Sequence, residues 1–549
     1  MHMFRENKDH LQMELFGTID EMHPRLKRDL EKSWAKVYYE HVFCHIDESL
    51  FAPLYCADNG RPNFPVNILL SLEVIKHLFD YTDEEIIDQY SYNFQVNYAV
   101  GINRLGMLPL ADRTLYEFRE RVFRHALLHP GADDLIFGQF ELLLKHFLAT
   151  TGISSGEQRM DSTFITPNIK RAGRLSLAFD VLVQALRYIP GELRTEQLGK
   201  ALEPDFRTEL LFQTKGTQLK SRLQEMLNLI RELLQIADAH PELKERHGLE
   251  VAKRFLKEQT YYDYGDDTYS AKENKDIAAN SLQSAYDQDA TYRKKGSKQA
   301  VGYIENITET CGEDNSVQFI TDYRLEQNIA SDVATLKERL PEIRDRTGAS
   351  DLYLDGGFYG EDALEVAEQN SVSLHYTNMT GKESNKIPVT KFEIEDLKTI
   401  KLCPGNCVPF RTSCNEEKGI LTAHFSLADC KQCPFNKKCR VKLDKKNAVL
   451  RIDRKSLLAA REREKLGCKE MRRENTSKRS AIEGTISALK RGRGAGRLRV
   501  RGIVKCSLTA GMKVIAQNIR QLVSYFQRSC ALFLDNLHRN VQQNQAVRA

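Results

Sequence analysis

No stretch of about 18 uncharged apolar residues occurs, the length a helix needs to cross a bilayer, so no membrane span is expected. The most apolar late segment, Ser507 to Leu534, is interrupted by Lys513, Arg520 and Arg528 and reads as an amphipathic or buried helix. The first residues, Met1-His-Met-Phe-Arg-Glu-Asn-Lys, are charged and lead into no apolar segment, so no signal peptide is expected. No internal repeat is visible. Net charge is small, +4 over 549 residues, so bulk charge identifies no partner. Without a secretory signal the expected compartment is reducing. The twelve cysteines, six of them between Cys403 and Cys439, then argue for metal ligation more than for disulfides.

The length implies several units or one domain with large insertions, and 41% apolar with 28% charged residues is ordinary for a globular chain. Residues 1–150 read as helical. Segments 67–81, 83–99 and 113–129 are periodic in apolar residues, and Asp112 is the expected N-cap of the third. A strand fits "EQRMDSTFI" (157–165), and residues 171–286 form a helical insertion. Strands fit "QAVGYIENITET" and "SVQFITDYRL", joined by "CGEDN". A helix fits 331–346, a strand 351–355, a helix 361–370 and a strand "VSLHYTN". A Cys-rich insertion spans 401–445. Charged helix follows over 455–490, then a basic Gly-rich loop and a final helix from about 507. The order implies an α/β sheet, built from 155–170, 287–400 and 455–535, that carries two insertions.

Three carboxylates invite a chemical reading. Asp161 sits inside a short strand, where Asp is uncommon unless it faces solvent, caps a helix or holds a ligand. Asp355 ends a strand before Gly356-Gly357, at the end where open α/β sheets gather ligands; the bland alternative is a turn-forming Asp. Asp351, four residues earlier, is the decoy. Glu483 lies in "KRSAIEGTISALKR" with Arg479 four residues before and Lys490 seven after, all on one helical stripe. That stripe is either a solvated ion-pair ladder or a site. Together, three carboxylates can hold two hard divalent ions about 3.5–4 Å apart and serve phosphoryl transfer.

Eleven basic residues and two acids, Glu474 and Glu483, lie between Arg472 and Lys505. From Lys490 to Lys505 there are seven cations and no acid. Gly492, Gly494 and Gly496 break any helix there, which suits phosphate contacts without base readout. In the Cys-rich insertion, the Cys430-x2-Cys433 pair has zinc-knuckle spacing. The expected structural zinc ligands are Cys414, Cys430, Cys433 and Cys439, with Cys403, Cys407 or His424 as alternates. Lys431, Lys437, Lys438 and Arg440 suit a small DNA-contacting knuckle. "DRTLYEFRER" (112–121) is the expected major-groove helix.

The stretches "MDSTFI", "YLDGGFYGEDA", "CKQCPFNKKC" and "SAIEGTISALKRGRGAGRLRVRG" resemble bacterial insertion-sequence transposases of the DDE type, in a subgroup with a Cys-rich insert. The resemblance covers most of the chain. It implies an RNase H-like catalytic core, a mixed sheet flanked by helices, behind a helical N-terminal DNA-binding domain. It implies that Asp161, Asp355 and Glu483 are the catalytic triad and bind two Mg²⁺ or Mn²⁺ ions. Many relatives carry Y-x2-R-x3-E-x6-K around the glutamate; Arg479, Glu483 and Lys490 fit, and Thr476 stands where the tyrosine is expected. The expected DNA-binding residues are Thr476, Arg479, Lys490, Arg491, Arg493, Arg497, Arg499 and Arg501. The implied partners are double-stranded DNA, as transposon ends and target, and a second copy of the chain in a dimer or larger complex. The implied location is the bacterial cytoplasm, at the nucleoid when bound. A nuclease of the same fold that only hydrolyses DNA, and a non-catalytic DNA-binding regulator, are the rival expectations.

Overall fold

The computed structural model describes residues 2–11, 17–58, 60–130, 134–243, 246–266, 268–295, 298–377, 385–416, 419–444, 447–466 and 469–546. Among its N-terminal helices is α1 (Val66–Phe79), whose residues are buried almost throughout. An all-round apolar helix can only be stable when enclosed. Its two buried charges, Glu73 and Lys76, lie one turn apart and pair at 2.8 Å. Asp80, in the left-handed region at φ 55°, ends it. α2 (Asp83–Tyr92) starts from a capping box in which Thr82 and Glu85 satisfy each other's backbone N–H groups. α3 (Asp112–Leu128) departs from expectation: Ala111 holds the N-cap position, so Asp112 supplies first-turn charge rather than a cap. α4 (Leu135–Thr151) is capped by Asp134, which accepts from the N–H groups of Ile136 and Phe137.

β1 (Glu157–Ile165) opens the main sheet. The chain then leaves it for α5 (Arg174–Leu186), α6 (Leu219–Ala239) and α7 (His247–Gln259), followed by a hairpin of Thr260–Asp263 and Thr268–Ala271. These elements have a core of their own, including Leu182, Met226, Ile230 and Phe255. Next come β2 (Lys298–Thr310), β3 (Ile320–Gln327), α8 (Asp332–Thr347), β4 (Asp351–Leu354), α9 (Glu361–Gln369) and β5 (Ser373–Tyr376). Thr291–Lys295 pairs with the start of β2, a strand the sequence did not suggest. β3 starts only at Ile320, four residues later than expected, and Asn378, expected in β5, lies outside the described residues.

The spatial order is β3–β2–β1–β4–β5. β2 runs antiparallel to both β1 and β3, whereas β4 is parallel to β1 and β5. Met160, Leu352 and Leu354 share a core with Leu336, Leu340 and Ile343 of α8 and Ala363 and Ala367 of α9. Alternation then sends Arg159 and Asp161 to the other side of β1.

The second insertion is wider than expected. It holds a four-stranded antiparallel sheet in the order β6 (Arg411–Asn415), β7 (Ile420–Phe425), β9 (Ala448–Asp453), β8 (Lys442–Leu443). The helix expected over 455–490 is three: α10 (Arg454–Lys465), α11 (Lys469–Ser480) and α12 (Ile482–Ser487). Gly467 and Cys468 lie outside the described residues. α13 (Ile503–Ala546) ends the described chain. Asp287 and Asp289 accept from the N–H groups of Gly502 and Ile503 at its start, where carboxylates complement the helix dipole.

Candidate active site

α11 lies across the open side of the sheet because alternate residues of β1 hold it. Lys478 Nζ donates to Glu157 Oε2 at 3.0 Å and to the Tyr353 hydroxyl at 3.3 Å. Arg159 donates through Nη1 to the Lys478 carbonyl at 3.0 Å and pairs through Nε with Glu309 Oε1 at 2.7 Å. Thr485 of α12 donates to the second oxygen of Glu309 at 2.6 Å. Asn475 donates to the Tyr376 carbonyl on β5. Glu157, Arg159 and Asp161 point to one side of β1, so this seam fixes what stands next to Asp161.

That neighbour is Arg479. Its Nη2 lies 2.6 Å from Asp161 Oδ2 and 3.6 Å from Asp355 Oδ2, and its Nη1 lies 3.5 Å from Glu483 Oε1. The three acids singled out in the sequence therefore meet around one guanidinium, although 355 − 161 = 194 and 483 − 355 = 128 residues separate them. Their surroundings differ. Asp161 is buried and accepts from the Ser162 N–H at 2.9 Å. Burial raises its carboxyl above the ordinary range; Arg479 and the Ser162 N–H oppose that, and Asp355 adds to it. Asp355 lies one residue beyond β4 and caps the short turn Gly356–Phe358, with Oδ1 accepting from the Gly357 N–H at 2.7 Å. A Cβ at Gly357 would come within 2.9 Å of that oxygen, so a larger residue there would push the Asp355 carboxylate aside. Glu483 is the most open, its side chain 69% exposed. Asp351 is excluded from the site: it turns to Ser350 and His375.

The donor set is carboxylate oxygen alone, which suits a hard divalent ion, and a cationic group already sits at its centre. Among the described residues, no three His, Cys, Asp or Glu side chains stand close enough to share a metal. At Asp161, Asp355 and Glu483 the Arg479 guanidinium lies within ion-pair reach of each acid. Three residues of the seam, Arg159, Glu309 and Lys478, were missed in the sequence. Arg159 carried a usable signal, since it lies two residues from Asp161 on a strand. Glu305, also on β2, is buried opposite Thr163; burial pushes its carboxyl up to about 7, against the pull of Lys490 and Lys513.

The basic segment is less of a free loop than its glycines suggested. Lys490 and Arg491 continue α12 through a wider turn, Ala488–Gly492. Arg493 donates to the Leu78 carbonyl and Arg499 to those of Tyr81 and Asp80, at the end of α1. Arg501 lies over the Tyr286 ring at 5.2 Å. Arg491 and Arg497 are exposed. Thr476 is exposed, and its hydroxyl donates to the Arg472 carbonyl one turn back. In the expected major-groove helix, Arg119 pairs with Glu73 and Asp83, and Arg121 lies over Tyr55.

The cysteines group differently from the spacing argument. Cys403, Cys407, Cys430, Cys433 and Cys439 line one small cavity, whereas Cys414 sits in β6 opposite Leu421 and is not part of it. His424 lies opposite Arg411. Mainly through burial, and also through the neighbouring thiols, Cys430 is pushed up to about 11. The described cysteines are all free, and the expected zinc gains no support because no metal-holding group is found among the described residues. Also among the described residues, no helix is long and apolar enough to cross a membrane.

Residues 28–121 match the family model described as a transposase domain (DUF772), and residues 402–523, which include Glu483, match that of a transposase DDE domain. No curated protein and no solved structure matches the chain. Together the two matches, one towards each end of a mixed α/β chain, support an insertion-sequence transposase of the DDE type.

Proposed function

We propose that this transposase cleaves phosphodiester bonds at the ends of its element and joins the freed 3′-hydroxyls to target DNA, with Asp161, Asp355 and Glu483 as the metal-binding carboxylates. The observation that carries this reading is their meeting around Arg479, across sequence separations that nothing but the fold spans. The strand order β3–β2–β1–β4–β5, antiparallel on one side and parallel on the other, supports an RNase H-like core. When bound, two divalent ions would supply an activated hydroxyl and stabilise the leaving oxygen of an in-line displacement.

The chain's own residues divide the remaining work. Asp161 is the rigid member, fixed by the strand and by Ser162. Asp355 is oriented by the Gly357 N–H, which leaves Oδ2 facing the centre. Glu483 adjusts from a helix that the Arg159–Glu309–Thr485 seam holds in place. The exposed Arg491 and Arg497 lie beyond it and suit phosphate contacts that carry no sequence information. The acids act as ligands rather than nucleophiles, so no covalent protein–DNA intermediate forms. Synapsis of two ends calls for at least a dimer.

The test is an end-cleavage and strand-transfer assay in Mg²⁺ on duplexes carrying the element's own ends, with pre-cut 3′-hydroxyl ends in parallel. Wild type is expected to produce joined product. Asp161→Asn, Asp355→Asn and Glu483→Gln should each lose about 100-fold or more, the scale of removing one preorganised electrostatic group from an active site. Full activity in any of the three overturns the triad. Cleavage without joining of pre-cut ends reduces the protein to a nuclease.

A further inference from the structure

We infer that Arg479 is a resident counter-ion of the triad, which holds its three carboxylates together until divalent ions take its place and then carries its charge to a DNA phosphate. The inference rests on the reading of the triad as a metal centre and adds a coupling between DNA binding and metal binding.

Three observations support it. First, a single side chain touches all three acids, so one positive charge faces three negative ones at the centre of the site. Carboxylates brought this close repel one another unless a cation stands among them. Second, the arrangement leaves Arg479 imperfectly satisfied. Nη2 is shared between Asp161 and Asp355, and the buried Nε finds no hydrogen-bond partner among the described residues. A guanidinium offers five donors in a planar fork, and this site does not use them all. A phosphate accepts the same fork in two parallel bonds. Third, the backbone beneath Arg479 is pinned while the way out is open. Lys478 is held through both its carbonyl and its ammonium group. In the other direction stands the exposed Glu483, one turn away on the same helical stripe. The side chain can therefore change partners without moving α11.

Linkage makes the consequence reciprocal. If Arg479 must leave the carboxylates for a metal to enter, then DNA that accepts the guanidinium raises the metal affinity, and bound metal raises the DNA affinity. Free protein would bind divalent ions weakly, and the complete site would assemble only on DNA.

Binding of Mn²⁺ to the full chain, followed by the electron paramagnetic resonance signal of the free ion, tests this without turnover. Wild type is expected to bind weakly alone and about tenfold more tightly with a short duplex, the factor set by losing one charge-assisted contact. Arg479→Gln should bind about tenfold more tightly than wild type without DNA and gain nothing when DNA is added. Arg479→Lys keeps the charge but not the fork, so it should fall between the two; it also serves if the glutamine variant fails to fold. Asp161→Asn should abolish binding in every background. If Asp161→Asn leaves Mn²⁺ binding intact, the metal-centre reading itself fails. If binding needs Asp161 but neither Arg479 variant is tighter than wild type, the triad stands and the resident counter-ion is overturned.

Discussion

Arg159 and Glu309 form the site's deepest ion pair, with side chains 9% and 0% exposed. Burial raises the Glu309 carboxyl, and Arg159 and the Thr485 hydroxyl pull it back. The pair also reaches the Lys478 carbonyl on α11 and the Thr485 hydroxyl on α12, and so sets where Arg479 and Glu483 stand. Removing one member of a buried pair leaves an uncompensated charge, a cost of about 3–5 kcal/mol. Arg159→Met is expected to lose stability on that scale in urea denaturation. The double change of Arg159 and Glu309 to Met should recover most of the loss, because two apolar groups of similar volume replace a pair that was expensive to bury. DNA cleavage should stay impaired in both, since each loses the hold on α11. A double variant no more stable than Arg159→Met would show that packing, not charge pairing, dominates at this position.

At the level of elements, the sequence was most legible where one residue type contradicted its surroundings. Asp161 in an apolar strand and Asp355 before two glycines stand out in that way, and Glu483 shares a helical stripe with Arg479. What periodicity could not disclose is that Arg479 reaches Asp161, 318 residues away, because that contact depends on the order of strands in the sheet. The cysteines show the opposite failure. Spacing paired Cys430 with Cys433 but could not choose among the further candidates, because it carries no information on strand register, and Cys414 belongs to β6. The basic segment was read from composition as a phosphate loop; in the structure Arg493 and Arg499 also bond to carbonyls at the end of α1. Gly494 makes the point: at φ 61° it lies so close to Asp80 that a Cβ would come within 2.8 Å of Oδ1. Asp80 is itself left-handed and takes Arg499 at 3.6 Å. Gly494→Ala is expected to cost about 1–3 kcal/mol through backbone strain, seen as a lower midpoint in thermal unfolding. Gly492→Ala, where a Cβ meets nothing within 4 Å, is the control and should be near neutral. Equal effects of the two would refute the docking role.

Over the whole molecule, the helices before residue 151 and the sheet are not separate bodies. A single hydrophobic core runs through Leu69, Leu72 and Ile75 of α1, Phe140 and Phe147 of α4, Phe319, Ile320 and Tyr323 at β3, and Val514, Ile515 and Ile519 of α13. α13, about 66 Å long at 1.5 Å per residue, is thus a spine that binds the first 150 residues to the main sheet. The first insertion differs, since α5, α6 and α7 close on their own core. Cooperative units follow shared cores rather than chain order. Native-state hydrogen exchange in rising denaturant should therefore release α1 and α13 together with β1 and β2, in the most stable unit. α6 and α7 should open in a separate step at lower denaturant. The reason lies in the attachments: the insertion leaves the sheet after β1 and returns before β2, so it can unfold as a closed loop without cutting the spine. If α1 stays protected after α13 has opened, the N-terminal helices fold on their own and the spine is only a neighbour.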